Sequence, residues 1–524
     1  MPEPTSQPTR RRRVAVIGAG PAGAIATDAL VKEQAFDVVR VFERKIVPGG
    51  TWVYDPTSLP SRPTIPSVPA LLDGTADRPV ELPAALSYGF PIETVHSTAT
   101  NDASQRYAHT GVHDGLHSNL PPQTMSFTQE PIPAVISEYT STQYGSNAPF
   151  RHREVIRQWV EGIFDAGNHR PLISFGTYVE RAEKRGTEWV LTLRQETTRD
   201  NKKVNKWWQE TFDAVVVASG HYSLPYLPPI PGLADYDAAF PGRIRHSKHY
   251  RSVDDFANKR VIVVGGSVSA FDALHAVRKV AQRPVIASLR QPLPAFGWPA
   301  FTHPHVDIRS PIVLFHPDSG QIDFADGSSV QDVDVILFAT GYDFSFPFLE
   351  GAGIQIKNRR IQGLYQHVFH MDDPTLAFIG MVAGGLTFRV FEWQSVAAAR
   401  VFAGRATLPS PTEMRQWETD TATEKGDGTR FFNIAPDFTG YFDGLRSLAG
   451  EPAQGTTGRV LPPFEQNWAD AFNEVISMRL AWWDRERRKA EAEEAEESEK
   501  AEKMLIKTKR ISGVHRPLEN RVHL

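Results

Sequence analysis

Short apolar runs alternate with glycine-bearing turns and amphipathic segments along this chain. Val14–Ile17 is wholly apolar, as a strand buried on both faces of a parallel sheet would be. Ala22–Phe36 reads as a helix and Asp37–Phe42 as a second strand. The same strand–turn–helix–strand succession restarts at Val261, with Pro284–Leu289 as its next strand. Between the two units, Glu154–Ala166 reads as a helix, Trp189–Phe212 as an antiparallel meander, and Ala214–Ala218 as an apolar strand. Pro225, Pro228, Pro229 and Pro231 then mark a linker. A further apolar strand, Asp334–Ala339, leads into Thr340-Gly341.

Three stretches fall outside this pattern. Eight prolines lie between Pro56 and Pro91, which denies that segment regular structure; residues of about 55–110 read as a surface insertion in preference to a lid. The tail from Trp483 to Lys503 is almost wholly charged, with Glu496/Lys500 and Glu499/Lys503 paired at i,i+4, and reads as a solvated helix. Arg10–Arg13 followed by Val14–Val31 has the charge and hydropathy of a signal anchor. Gly18, Gly20, Pro21, Gly23 and Asp28 within it favour a buried strand, turn and helix behind a basic leader.

Composition narrows the chemistry. In 524 residues, Lys plus Arg is 57 and Asp plus Glu is 61, a net charge of −4, which lacks the basic footprint of a nucleic-acid binder. There are no cysteines, so disulfide scaffolds, thiolate metal sites and dithiol redox centres are excluded, and no metal is expected. Any redox chemistry needs a borrowed cofactor.

The two strand–turn–helix units supply places for one. The first reads Gly18-Ala-Gly20-Pro21-Ala22-Gly23: a turn glycine, a glycine that lets backbone approach a diphosphate, and a glycine for close helix packing. The diphosphate would rest on the helix N-terminus. Glu43 stands 20 residues after Gly23, where a ribose-binding carboxylate belongs. The second unit reads Gly265-Gly-Ser267-Val268-Ser269-Ala270, with small residues in place of the second and third glycines, and Asp272 follows in the same helix. Arg290 stands 20 residues after Ala270. A carboxylate accepts from a free 2′-hydroxyl and repels a 2′-phosphate, whereas a guanidinium pairs with that phosphate. The first site should therefore hold FAD or NAD, and the second NADP, with Ser288 as a further donor. Two such sites suggest electron transfer from nicotinamide to flavin. The fold class expected is α/β with two Rossmann-like dinucleotide-binding domains, the FAD domain split in sequence by an inserted NADP domain. The expected boundaries are a leader at 1–13, a first FAD part at 14–224, the NADP domain at 225–333, a second FAD part at 334–482, and a charged helix and tail at 483–524.

With these residues in place the sequence resembles the flavin-containing monooxygenases. Glu43-Arg44 followed by Gly49-Gly50-Thr51-Trp52 is similar to that family's segment after its FAD fingerprint. Phe240-Pro-Gly242-Arg-Ile-Arg-His246-Ser-Lys-His-Tyr250 matches its identifying motif, and Phe338-Ala-Thr340-Gly341-Tyr342 another. Leu116-His-Ser118-Asn119-Leu-Pro121 resembles its L-x-T-N-x-P with Ser for Thr, and His113 stands where a Tyr is usual. The insertion after Trp52 is longer than the family's. Glu392 and Gln394 resemble an E-x-Q near the flavin, with a core-facing amide as the competing view.

The resemblance implies FAD and NADPH as cofactors, and a small-molecule substrate and O2 as partners. FAD would be held by Gly18, Gly20, Pro21, Ala22, Gly23, Glu43, Arg44, Gly50, Thr51, Trp52, Ser118, Asn119, Thr340, Gly341 and Gln394. NADPH would be held by Gly265, Ser267, Val268, Ser269, Ala270, Asp272, Ser288 and Arg290. It also implies a C4a-(hydro)peroxyflavin that oxygenates a soft nitrogen or sulfur, with Asn119 as the amide touching flavin or nicotinamide. His246 and Tyr250 are expected to couple the domains structurally. A Baeyer–Villiger enzyme, an NADPH oxidase or flavin reductase, and a non-catalytic flavoprotein are the alternatives. Tyr250-Arg251 replaces the Trp-Pro or Trp-Asp ending of the Baeyer–Villiger identifier, which favours heteroatom oxygenation. A cytoplasmic location is the default, no transmembrane segment is expected, and a homo-oligomer stays open.

Overall fold

The apolar strands assemble into two sheets, the first parallel except for an antiparallel edge at Leu364–Tyr365 and Phe369–His370, the second parallel throughout. The computed structural model describes residues 12–54, 67–86, 91–95, 107 and 109–512. The first sheet has seven strands, in the order Leu364–Tyr365, Phe369–His370, Leu376–Phe378, Ala214–Val217, Arg13–Ile17, Val38–Phe42 and Ile173–Ser174. Arg13–Ile17 runs parallel to both Val38–Phe42 and Ala214–Val217, so Val14, Ala15 and Val16 lose all exposure. The helix Pro21–Lys32 follows it, with Pro at its first position, where the missing N–H costs nothing. Its alanines pack against the helix Thr387–Phe402, itself lined by Ala397–Ala399, and small side chains on both let the helices approach. The helix ends at Lys32, short of the expected Phe36, because Gln34 turns to a positive φ of 52°.

The second sheet is wholly parallel: Ile244–His246, Val335–Phe338, Val261–Val264, Val285–Ser288 and Val306–Arg309. Val335–Phe338 was expected to open the returning half of the first domain. It pairs instead with Val261–Val264 and Ile244–His246, so the chain returns at Tyr342–Asp343. That return pairs antiparallel with Leu224–Pro225, the outgoing crossing, and the two connections form one joint between the domains. The meander Thr177–Arg185, Glu188–Arg199 and Lys202–Phe212 is antiparallel as its alternation predicts, and a fourth strand, Ile92–Val95, extends it.

Two readings of irregular segments need correction. The proline-rich stretch contains a helix, Val68–Leu72, and that strand Ile92–Val95. The charged tail is the last part of a 47-residue helix, Gln466–Ser512, which docks on both domains. Trp468 packs in the first domain against Trp393, while Trp483, 5 % exposed, packs edge-on against Phe271 and Phe296 of the second. Apolar residues interrupting the charges at helical spacing anchor it; only beyond them is it solvated. Among the described residues no helix is long and apolar enough to cross a membrane.

Candidate active site

A cleft of about 1740 Å³, its open mouth included, lies at the carboxyl ends of the first sheet. Gly18, Gly20, Pro21, Ala22, Glu43, Arg44, Gly50, Thr51 and Trp52 all line it, as the sequence led us to expect. Gly18 has a φ of +105°, and a Cβ there would stand 2.7 Å from the Ala218 carbonyl oxygen. A Cβ on Gly50 would come within 2.7 Å of Gly20 Cα, so the two glycine loops meet backbone to backbone. That leaves a bare cradle of amides at the start of the helix Pro21–Lys32, suited to a diphosphate. Glu43 is buried; its Oε2 accepts from Ala19 N (2.7 Å) and its Oε1 from Lys45 N (2.8 Å). Two bonds leave lone pairs for a ribose diol.

The other wall residues belong to no sequence motif named above. Thr177–Glu180 begin the meander beside Glu43, and Arg194 lies over the Tyr178 ring at 4.4 Å while its Nε donates to Glu180 (2.7 Å). His221 follows Ala218-Ser219-Gly220. Trp52 Nε1 and His221 Nδ1 are buried polar atoms with no partner among the described residues. Burial also pulls the His221 imidazole down to about 4, leaving it neutral. A flat ligand with polar edges and an anionic middle satisfies these orphans and the cradle together, and FAD is such a ligand.

The second cradle repeats the first. Gly265 has a φ of +137°, and its Cβ would stand 2.5 Å from Ala339 O, as that of Gly18 does from Ala218 O. Ala218-Ser-Gly220 and Ala339-Thr-Gly341 are thus equivalent positions of two units. Noticing that repeat in the sequence would have assigned Val335–Phe338 correctly. Ser267 caps the helix Val268–Val277 without a side-chain bond to it, so the first-turn amides stay open; Val268 and Ser269 start that turn, and Ala270 is buried. Arg290 is exposed at the end of Val285–Ser288 and its following residue.

The remaining expected contacts are placed elsewhere. Ser288 is buried and its Oγ donates to Ser310 O (2.9 Å), which removes it as a donor to a 2′-phosphate. Asp272 faces the long C-terminal helix, 3.6 Å from Arg479. Thr340 Oγ1 donates to Tyr226 O (2.5 Å), and Gly341 O accepts from Tyr226 N (3.0 Å) and His246 Nε2 (2.9 Å). Both residues therefore build the interdomain joint. His246 Nδ1 accepts from Lys248 N (3.0 Å), so one neutral tautomer serves both bonds, and burial holds this imidazole at about 3. Tyr250 stacks on Phe256 with ring centroids 5.9 Å apart. Gly23 lies inside the helix, behind the cradle. Ser118 Oγ donates to Leu120 O (2.7 Å) and accepts from Arg151 N (3.0 Å), which fixes its loop and leaves no donor for a ligand. Asn119 beside it is exposed, outside the cleft wall, with no side-chain hydrogen bond among the described residues. The short helix Pro122–Met125 after it is tied by Arg389 Nη2 to Gln123 O (2.6 Å) at the start of Thr387–Phe402, where Thr387, Phe388 and Phe391 line the cleft.

The family profile of flavin-binding monooxygenase-like proteins matches residues 147–292 and 301–451, more than half of the chain. The chain belongs to this family. A flavin-containing monooxygenase of Arabidopsis thaliana, FMO GS-OX3, is 32 % identical over 79 % of this chain and 78 % of its own length. The Aspergillus flavus flavin-containing monooxygenase ustF2 is 28 % identical over 88 % of this chain and 96 % of its own. Among solved structures, S-allyl-L-cysteine S-oxygenase from Allium sativum superposes with a TM-score of 0.67 at 26 % identity, covering 90 % of this chain and 94 % of that one. This flavin monooxygenase is accordingly an FAD-dependent oxidoreductase of a family that draws on NADPH, and the first cradle has the donor set its flavin dinucleotide needs.

Gln394 sits one layer behind the cleft of this monooxygenase. Its Oε1 accepts from Gly380 N (2.9 Å), a cleft residue, and its Nε2 donates to Tyr441 Oη (3.0 Å). The core-facing alternative is the one realised: the amide shapes the wall without touching the ligand. Gln394→Leu should leave a buried N–H unpaired and lower unfolding stability by about 1–3 kcal/mol in urea titrations. A loss of FAD with unchanged stability would show that the amide contacts the flavin after all.

Proposed function

We propose that this monooxygenase is NADPH-dependent and oxygenates a soft nitrogen or sulfur atom of a small molecule. The observation that carries the reading is the opposite charge at equivalent places of two matching cradles, Glu43 in one and Arg290 in the other. The S-oxygenase resemblance supports sulfur as one acceptor class. When bound, FAD supplies the redox chemistry and the activation of dioxygen. The chain's own work is positioning: amides of the first cradle hold the diphosphate, Glu43 the ribose, and Arg290 the 2′-phosphate of the reductant. Trp52, Phe388 and Phe391 exclude water on the side of the helix Thr387–Phe402. Asn119, at the loop beside that helix, is the amide we assign to the nicotinamide–flavin contact. Because the oxidant is made on the cofactor, no strong base is needed at the substrate.

Anaerobic bleaching of flavin absorbance, compared for NADPH and NADH, tests the reductant. Arg290→Ala should weaken NADPH by roughly 10- to 100-fold, the worth of a charge-assisted bond, and leave NADH unchanged. Equal losses for both reductants would remove Arg290 from the phosphate site. Labelled dioxygen should appear in the sulfoxide of a thioether or the oxide of an amine. Lactone from a ketone as the sole oxygenated product would instead make the chain a Baeyer–Villiger enzyme.

A further inference from the structure

Residues 67–86 of the proline-rich segment run from the second domain to the wall of the cleft. Its helix Val68–Leu72 is capped by Ser67, whose Oγ accepts from Ala70 N (3.2 Å). Val68 is 1 % exposed, packed with Leu227, Leu233 and Tyr236 of the second domain. The strand Ile92–Val95 pairs with Lys202–Phe212 in the first domain. The stretch between is held by one domain at each end, and its middle, Asp77, Arg78 and Val80, stands in the cleft wall. Asp77 Oδ2 accepts from Ser345 Oγ (2.5 Å), and Val80 is buried. Tyr107 and Thr110 also line the cleft, and the identifying motif and the residue after it grip them: Lys248 Nζ donates to Tyr107 O (2.9 Å) and to Ser223 O, and Arg251 Nη2 to Thr110 O (3.0 Å). A decorative loop has no reason to be fastened at so many points.

Its position along the cleft follows from the charges around it. Asp77 acts on both Glu180 and Lys248, and Arg44 acts on the same two groups. Glu43, the ribose carboxylate, and Arg44 directly follow the strand Val38–Phe42, so Asp77 and Arg78 lie at the adenosine end. Arg78 makes no hydrogen bond or ion pair with any described residue, although it lines the cleft. The glycine cradle offers amides, and the cation nearest to it, Lys45, already donates through Nζ to Gly50 O (2.7 Å).

We infer that this segment forms the outer wall of the FAD adenosine site, with Arg78 as a binding residue for the diphosphate. The inference rests on the assignment of FAD to the first cradle. FAD then leaves only when the 73–86 stretch lifts, and the fastening to both domains slows its release.

The test follows FAD release from the full-length holoenzyme as a rise in flavin fluorescence after dilution, together with competition by ADP for rebinding. Arg78→Ala should release FAD about tenfold faster and weaken ADP by a similar factor, with Arg78→Lys recovering part of each. Val68→Ser, which loosens the tether away from the cleft, should speed release while leaving ADP competition unchanged. A wild type that retains FAD beside an Arg78→Ala variant with the same release rate would overturn this inference alone. So would a faster release with unchanged ADP competition, which moves Arg78 to the flavin end. A wild type that retains no FAD would overturn the cofactor assignment and this inference with it.

Discussion

Gly23→Ala should yield a soluble protein with less than about a tenth of its FAD, a loss of more than roughly 100-fold in affinity, or about 3 kcal/mol. The added Cβ would stand 1.9 Å from the carbonyl oxygen of Gly18, which is backbone and cannot swing aside. Relief requires the helix Pro21–Lys32 to move away from Arg13–Ile17, and the cradle amides move with it. Overpacking of this kind costs about 1–3 kcal/mol in a well-packed core, and here the cradle itself is what shifts. The second unit provides the control, because Ala270 already occupies the equivalent position. Ala270→Gly should cost about 1 kcal/mol of helix stability and leave NADPH reduction of the flavin intact. Flavin-to-protein absorbance ratios of the purified variants decide the matter. Full flavin content in Gly23→Ala would mean that the helix relaxes freely and that its contact with Thr387–Phe402 does not hold it.

That contrast shows what kind of information the sequence carries well. Gly18, Gly20, Glu43 and Trp52 converge on one cleft because a fingerprint is local: a strand, a turn and a helix in one short span dictate the cradle. The same locality explains why Ser118, Thr340, Gly341 and Gln394 were misplaced. Each lies in a motif of the family, yet its side chain or carbonyl is taken by a partner distant in sequence, such as Tyr226, His246 or Tyr441. Periodicity reveals which face of an element is buried, not which sheet receives it, and Val335–Phe338 reads the same in either domain. The proline count hid the helix Val68–Leu72 for a different reason. Proline at the first turn of a short helix is tolerated, and Pro69 occupies such a place. The long C-terminal helix looked solvated because Trp482 and Trp483 are few among many charges. Two aromatic side chains suffice to dock a helix when they meet Phe271, His275 and Phe296.

Arg459 is the residue whose loss should most weaken the fold. Its side chain has no exposure, and it is surrounded by carboxylates from three elements. Nε donates to Glu392 Oε1 (2.9 Å) in Thr387–Phe402, Nη2 to Glu130 Oε2 (2.5 Å), and Nη1 to Asp28 in Pro21–Lys32. Glu392 in turn accepts from Thr128 N (2.7 Å) and the Thr128 hydroxyl. The guanidinium therefore ties together the cradle helix, the late flavin-side helix and the loop between Met125 and Pro133. Burial by itself would push the Asp28 carboxyl up. The hydrogen bond from His169 and the charges of Arg459 and Lys32 outweigh it and hold the group at about 2. Its folded value lies below the ordinary 3.8, so its stabilisation, on the order of 2 kcal/mol, is complete above pH 3.8 and fades as pH falls toward 2. Arg459→Met should cost about 3–5 kcal/mol at neutral pH, because it leaves the buried Glu392 without a cation and Asp28 and Glu130 with Lys32 alone. The deficit should shrink as pH is lowered, since Asp28, deprived of Arg459 in the variant, then gains a proton and sheds a buried charge that the wild type keeps paired. Urea titrations of both proteins from pH 7 down to pH 4 measure that difference. A deficit independent of pH would assign the effect of Arg459 to packing; one that closes on acidification would identify a cation that holds the cofactor helix to its neighbours through charge.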